Sequence, residues 1–345
     1  MAFSCLPRTS LPMSSDPPQP HFLQSHQEDP RAARAELLAG LQQAPARVEP
    51  KFLYDALGSR LFDAITELAE YYPTRTEASI LAQHGAEMAR AVAPGSVLID
   101  LGAGSCAKAA RLFAPLQPTA YVAIDISVDY LRASLGALQQ RHPGLPMLGL
   151  GLDFSTQLSL PDAAQSWLTA AGAVQAPRTV FYPGSSIGNF SPAQALTLLR
   201  QANALCAAGG PGGGLLIGVD RVKSAAVLEP AYDDALGVTA AFNRNLLLNV
   251  NRALGTHFAP AAWDHVALYN AAESRIEMHL QARSEQTVGW PGGARVFAAG
   301  ERIHTENSYK WTPEDFAAML SEAGFGSAIH WTDPQDWFSV FWAPA

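Results

Sequence analysis

The decisive segment is Val97–Lys108, VLIDLGAGSCAK: an apolar run, an acid, then two glycines one residue apart. An apolar run of strand length that ends in glycines and passes into a helix-compatible sequence reads as a buried parallel strand turning into a helix. Gly102 and Gly104 let the backbone turn sharply and a ligand approach closely, because no Cβ intervenes. Asp100 stands where a carboxylate can face whatever lies over that turn. Open α/β sheets collect ligands at the carboxyl ends of their strands, so a site is expected here.

The unit repeats downstream. Tyr121–Ile124 reads as a second strand ending at Asp125, and Met147–Leu152 as a third ending at Asp153-Phe154. Thr179–Tyr182 is a fourth, followed by the loop Pro183–Asn189; a helix over Pro192–Ala208 leads through a glycine run to a fifth strand, Leu215–Val219, ending at Asp220. Strands alternating with helices predict an α/β fold with a doubly wound parallel sheet. Ala225–Leu254 then reads as one or two helices, and Val266–Tyr269, Arg275–Arg283 and Val296–Phe297 as antiparallel strands. A helix over Thr312–Ala323 and strands at Ala328–Trp331 and Trp337–Phe341 return to the main sheet. Ahead of the glycine turn, Arg31–Gln43 is helical and Lys51–Arg75 is rich in aromatics. Thr74 and Glu77 stand at capping-box spacing behind Pro73, which starts a long helix there. The expected division is a disordered tail over 1–30, a second lobe from 31–79 plus 221–307, and the α/β domain from 80–220 plus 308–345.

Composition narrows the class. A chain of 345 residues has room for roughly two domains. Hydrophobic content of 48% and charged content of 16% are those of an ordinary globular protein. A net charge of −8 without any Lys/Arg run argues against a nucleic-acid partner, which asks for a basic face. The three cysteines, Cys5, Cys106 and Cys206, have neither disulfide nor zinc spacing, which points to a reducing cytoplasm. The nine histidines form no metal-ligand pattern, so no metal is expected. No apolar run approaches the about 20 residues of a membrane span. Prolines and serines interrupt Ser4–Pro20, so no signal peptide is expected, and Met13 is a second candidate start.

Two cofactor readings share the glycine turn. Gly102-Ala103-Gly104-Ser105-Cys106-Ala107 satisfies the dinucleotide fingerprint G-x-G-x-x-A. D-L-G-x-G also resembles the first motif of the class I S-adenosylmethionine (SAM) methyltransferases. Either ligand would set ribose hydroxyls on Asp125. Asp153, with Phe154 after it, separates the two, because its carboxylate can take the amino proton of an adenine while the ring or backbone flanks the base. Lys108, early in the first helix, is placed to meet a methionine carboxylate. These residues favour SAM over a dinucleotide-dependent oxidoreductase, for which no hydride-transfer acid/base pair is evident.

From Phe52, FLYDALGSRLFDAITELAEYYPTRTEASIL resembles the amino-terminal signature of the L-histidine Nα-methyltransferases of ergothioneine biosynthesis. The resemblance continues in order through DLGAGSCAK, FYPGSSIGNF, LLIGVDRVK, AYDDALGVTAAFNRNLL, RIEMHL, IHTENSYKW and WTD, and covers nearly everything from Arg31 onward. It implies a class I SAM-dependent methyltransferase domain, Rossmann-like, with a substrate-binding lobe built from the amino-terminal segment and the insertion. It implies a monomer that moves three methyl groups from SAM to the α-amino nitrogen of L-histidine and its mono- and dimethyl intermediates. The products would be hercynine and S-adenosyl-L-homocysteine.

Position by position, the resemblance implies Tyr54, Gly102, Lys108, Asp125, Asp153 and Phe154 around SAM. It implies Tyr71, Gly184, Asn189 and Tyr232 at the backbone end of the substrate, with Asn189 and Tyr232 on its carboxylate. Met278, Glu306 and Ser308 would line the side-chain pocket, with Glu306 and Ser308 hydrogen-bonded to the imidazole. Tyr54 and Tyr71 are the candidate catalytic residues, through desolvation of the amine and cation–π contact with methylated intermediates. The glycine motif departs from the family at Cys106-Ala107, where a threonine or serine and a charged residue are expected, which leaves details of the turn open. Two other readings remain, the same reaction on another aromatic amino acid such as tryptophan and a non-catalytic SAM-binding protein. An indole has one donor and no need for Glu306, which weighs against tryptophan.

Overall fold

The structure, a computed structural model, describes residues 19–24 and 29–345. Strand β1 (His21–Gln24), helix α1 (Pro30–Leu41), strand β2 (Ala46–Arg47), helix α2 (Ala56–Thr66) and the long helix α3 (Tyr72–Ala91) come first. An alternating run follows: β3 (Val97–Leu101), α4 (Ala107–Leu116), β4 (Ala120–Asp125), α5 (Val128–Arg141), β5 (Met147–Gly151), α6 (Asp162–Ala170), β6 (Pro177–Tyr182), α7 (Pro192–Ala207) and β7 (Gly210–Asp220). Helices α8 (Ala225–Leu228) and α9 (Val238–Leu254) lead to β8 (Trp263–Asn270), β9 (Arg275–Ala282), β10 (Gln286–Trp290), β11 (Gly293–Phe297) and β12 (Arg302–Tyr309). Helix α10 (Pro313–Glu322), β13 (Ile329–Thr332) and β14 (Phe338–Pro344) come last.

The main sheet runs β1-β5-β4-β3-β6-β7-β14-β13. Its strands are parallel from β1 to β7, and β14 lies antiparallel to both β7 and β13. Helices cover both faces. Ile80, Leu112 and Leu135 of α3, α4 and α5 pack on one side, and Leu168, Leu199 and Phe316 of α6, α7 and α10 on the other. That burial explains why β3 is apolar apart from Asp100, as strands covered on both faces are. Strand order reverses between β3 and β6, so a crevice opens at their carboxyl ends. This is the α/β doubly wound architecture the sequence predicts.

A second sheet, β2-β12-β9-β8, has its own core, in which Phe242 and Leu246 of α9 meet Phe52, Leu53, Trp263 and Ile303. Each such aliphatic or phenyl side chain contributes about 1.5–3 kcal/mol on burial. Neither α3 nor β12 stops at the expected division between lobes; both are continuous elements that run across it.

Several local expectations are corrected. The tail expected over 1–30 includes an ordered edge strand, because Phe22 packs on Gly149, where a Cβ would lie 2.2 Å from its ring, and β1 takes up the free edge of β5. The remainder of that expectation falls on 1–18 and 25–28, outside the described residues, on Gln19 and Pro20 ahead of β1, and on Asp29 and Pro30, which cap and open α1. The glycine run, expected to precede the fifth strand, forms the first half of β7. Cβ atoms at Gly210 and Gly214 would lie 2.1 Å from Gln175 O and 2.5 Å from Ala343 O, so only glycine lets these backbones close. Helix α3 begins at Tyr72 without a side-chain cap, and Glu77 is not part of a capping box.

Candidate functional site

Where the second lobe meets the carboxyl edge of the main sheet there is a cleft with about 470 Å³ of empty space. Tyr54, Tyr71, Gly184, Asn189, Tyr232, Met278, Glu306 and Ser308 all line it. The elements that deliver them are far apart in sequence. Tyr54 ends a 3-10 turn at Pro50–Leu53, Tyr71 precedes α3, and Gly184 and Asn189 come from the loop after β6. Ser191 caps α7 and accepts from Gln194 N, so Asn189 is not needed as the cap and stays on the cleft.

Glu306 reaches the cleft through a bulge. His304 lies opposite His279, but Glu306 lies opposite Met278, so Thr305 is an extra residue in β12. A bulge re-aims the side chains that follow it, and here it puts Glu306 and Ser308 on the side of Met278. The buried Thr305 hydroxyl donates to Met278 O at 3.0 Å and fixes the bulge. Glu306 is 7% exposed, and its Oε2 has no hydrogen-bond partner. Burial pushes its carboxyl up to about 8, with the Lys310 ammonium opposing.

Five aromatic rings, Tyr54, Phe62, Tyr71, Tyr232 and Phe242, line the cleft together with the polar loop after β6. Tyr54 and Tyr71 each meet Phe62 edge-on, at 5.6 and 6.2 Å between centroids, and Tyr71 meets Tyr232 at 6.2 Å. Burial pushes the Tyr54, Tyr71 and Tyr232 phenols well above their usual range, with neighbouring carboxylates adding to it. They are therefore neutral hydroxyls rather than bases.

The other expected residues converge on the crevice over β3, β4 and β5. Gly102 and Gly104 have φ of +67° and +50°, the left-handed region that favours glycine. Asp125 accepts from Gly104 N and Ser127 N, both at 2.8 Å, and so ties the glycine turn to the start of α5. Burial raises its carboxyl, against these backbone bonds. Phe154 closes the crevice over Gly102, where a Cβ would lie 3.9 Å from its ring. Asp153 accepts from Ser155 N at 3.0 Å, and its other oxygen lies 3.9 Å from Lys51 Nζ. Asp100 is buried; its Oδ2 accepts from the Tyr121 hydroxyl at 2.7 Å, and its Oδ1 has no hydrogen-bond partner.

Lys108 is not free. Its Nζ lies 2.8 Å from Glu77 Oε2, and Glu77 Oε1 accepts from Gly184 N at 2.8 Å. One buried carboxylate thus links the helix after the glycine turn to the loop lining the cleft. A Cβ at Gly218 would lie 2.0 Å from Glu77 Oε1, so β7 needs glycine there to admit it.

Residues 33–345 match the family described as histidine-specific methyltransferase, SAM-dependent. The chain belongs to that family. It is 41% identical to "Histidine N-alpha-methyltransferase" of Mycolicibacterium smegmatis (strain ATCC 700084 / mc(2)155), over 90% of this chain and 94% of that protein. It is 39% identical to the protein of the same name from Mycobacterium tuberculosis (strain CDC 1551 / Oshkosh), over 88% and 91%. Among solved structures, the CcbJ methyltransferase from Streptomyces caelestis aligns with a TM-score of 0.42 at 16% identity, over 76% of this chain and 89% of that one.

The family's cofactor fits what the crevice offers. Glycines in the left-handed region leave backbone room, Phe154 supplies a flat apolar wall, and Asp125 keeps acceptor capacity beyond its two backbone bonds. Sequence reasoning in this histidine-specific methyltransferase missed Glu77, Asp220 and Lys310 as parts of the site. The helical spacing of Glu77 from the apolar Ile80 and Leu81 was the available signal, since it sets a carboxylate on the inward side of α3.

Proposed function

We propose that this SAM-dependent methyltransferase methylates the α-amino nitrogen of L-histidine, three times in succession, giving hercynine. One observation carries the choice of substrate: the buried, unpartnered oxygen of Glu306 beside Ser308 on a cleft lined by five aromatic rings. A buried carboxyl without a partner is costly, and an imidazole, with two nitrogens to satisfy, is a ring that relieves it. In this reading Asn189 and Tyr232 hold the substrate carboxylate, with Tyr71 and Gly184 beside them. Met278 shapes the side-chain pocket, and Glu306 and Ser308 hydrogen-bond the imidazole.

Tyr54, Gly102, Lys108, Asp125, Asp153 and Phe154 would hold SAM, which when bound supplies an electrophilic methyl group on a sulfonium. The chain itself aligns the amine and excludes water, and alignment provides most of the acceleration in such a reaction. The desolvated wall of Tyr54 and Tyr71 favours the unprotonated amine. The same rings attract the methylated, permanently cationic intermediates. The lobe from 31–79 and 221–307 serves mainly as the substrate lobe and 80–220 with 308–345 mainly as the SAM domain, with α3, β12 and the loop after β6 shared between them. The enzyme acts as a cytoplasmic monomer on small molecules, without nucleic-acid or membrane partners; among the described residues no helix is long and apolar enough to cross a membrane.

The test is to incubate the purified protein with SAM and an equimolar pool of the common amino acids and to read the products by mass spectrometry. A gain of three methyl groups on histidine alone is expected. Methylated tryptophan or tyrosine instead would overturn the roles given to Glu306 and Ser308. No methylation, with SAM binding shown by calorimetry, would leave a binding protein.

A further inference from the structure

Lys310 follows β12, and its side chain is 0% exposed. Its Nζ lies 2.7 Å from Asp220 Oδ2, 2.9 Å from the Tyr232 hydroxyl and 2.8 Å from Ser308 Oγ. An ammonium has three protons and no acceptor, so these partners occupy it fully. Asp220 is anchored in turn. Its Oδ1 lies 2.6 Å from Lys223 Nζ, and the Tyr72 hydroxyl donates to the same carboxylate at 2.7 Å. Burial pushes Asp220 up, but the Lys310 and Lys223 ammonium groups hold it below the usual carboxylate range. The Tyr232 and Ser308 hydroxyls, meanwhile, are 2.8 Å from each other.

We propose that Lys310 is a positioning residue for substrate choice: by donating to Tyr232 and Ser308 together, it leaves that pair one proton and one lone pair for the cleft, on different residues. The inference rests on the reading of the cleft given above. Two hydroxyls bring two protons and four lone pairs. Their mutual bond uses one of each, and Lys310 fills two more lone pairs. The oxygen that accepts the mutual bond is then full and keeps its proton for the ligand. The other has spent its proton and keeps one lone pair. A substrate carboxylate at Tyr232 takes the proton, which makes Ser308 an acceptor only, and it takes an N–H from the imidazole. Glu306 in its protonated form donates to the second ring nitrogen. A neutral imidazole is thereby satisfied at both nitrogens, and a ring without an N–H leaves Ser308 unmatched.

The probe is L-thiazolylalanine, whose ring nitrogen accepts but has no hydrogen to donate. Wild-type protein should disfavour it against histidine by about 100-fold or more in kcat/KM, as sites built around a hydrogen bond do. In Lys310→Met the Ser308 hydroxyl is free to turn and donate. Activity on histidine should fall mainly through KM, and the histidine-to-thiazolylalanine ratio should contract about tenfold or more. Tyr232→Phe, which keeps Lys310, also releases the Ser308 proton and should contract the ratio in the same direction, so the inference stays testable if Lys310→Met does not fold. A merely structural lysine would lower both substrates alike; an unchanged ratio in either folded variant overturns the inference alone. Wild-type protein inactive on histidine overturns the functional reading and the inference with it.

Discussion

Glu306 sets the terms of the cleft at the scale of single residues. Its carboxyl is pushed from an ordinary 4.5 up to about 8 by burial, with Lys310 opposing. Between those values the native protein holds a proton that the unfolded chain has lost. Stability therefore falls as pH rises through that window, and the full penalty stands above it. Glu306→Gln removes the titrating group. The variant is expected to melt roughly a few degrees above wild type at pH 8, with the gap closing towards pH 4.5. Differential scanning calorimetry at the two pH values checks this, and equal melting temperatures at pH 8 would contradict it. The motif residues of the cleft were legible because each belongs to a resemblance that runs in order along the chain. Glu77 and Lys310 were not, since a charged residue looks like surface until tertiary packing supplies Gly184 N and Lys108 for the one, and Asp220 for the other.

Secondary-structure elements show the same division. Strands β3 to β7 could be read from the sequence because burial on both faces demands apolar runs, and the residue after each apolar run is polar or a turn former. Strand β12 could not. RIHTENSY is mostly polar because its side chains serve the cleft and the opposite surface, and a bulge breaks its alternation. Strand β1 was hidden for another reason, since its pairing with β5 crosses more than a hundred residues and leaves no local pattern. The bulge yields a prediction of its own. Thr305→Val keeps the shape but loses the hydroxyl's bond to Met278 O. It should cost about 1 kcal/mol in urea denaturation and raise KM for histidine while leaving SAM affinity unchanged. A variant with unaltered KM would show that the bulge holds without the threonine.

Across the whole molecule, the cleft exists only because two cores are joined by elements that belong to both. Helix α3 opens beside Tyr71 and ends against the main sheet, and β12 pairs with β9 before the chain passes through Lys310 to Trp311, which bridges to Arg221 after β7. The main sheet supplies the crevice at its order reversal, the second sheet supplies Met278, Glu306 and Ser308, and the loop after β6 also lines the cleft. In the proposed reading, substrate choice falls to the buried Glu306 carboxyl. The most direct test is the ratio of kcat/KM for histidine to that for tryptophan, in wild type and in Glu306→Leu. The wild-type ratio is expected to reach about 10,000 and to fall by about 100-fold or more in the variant, because the unmatched acid is what rejects the indole. A wild-type enzyme that prefers tryptophan, or a ratio untouched by Glu306→Leu, would contradict the account.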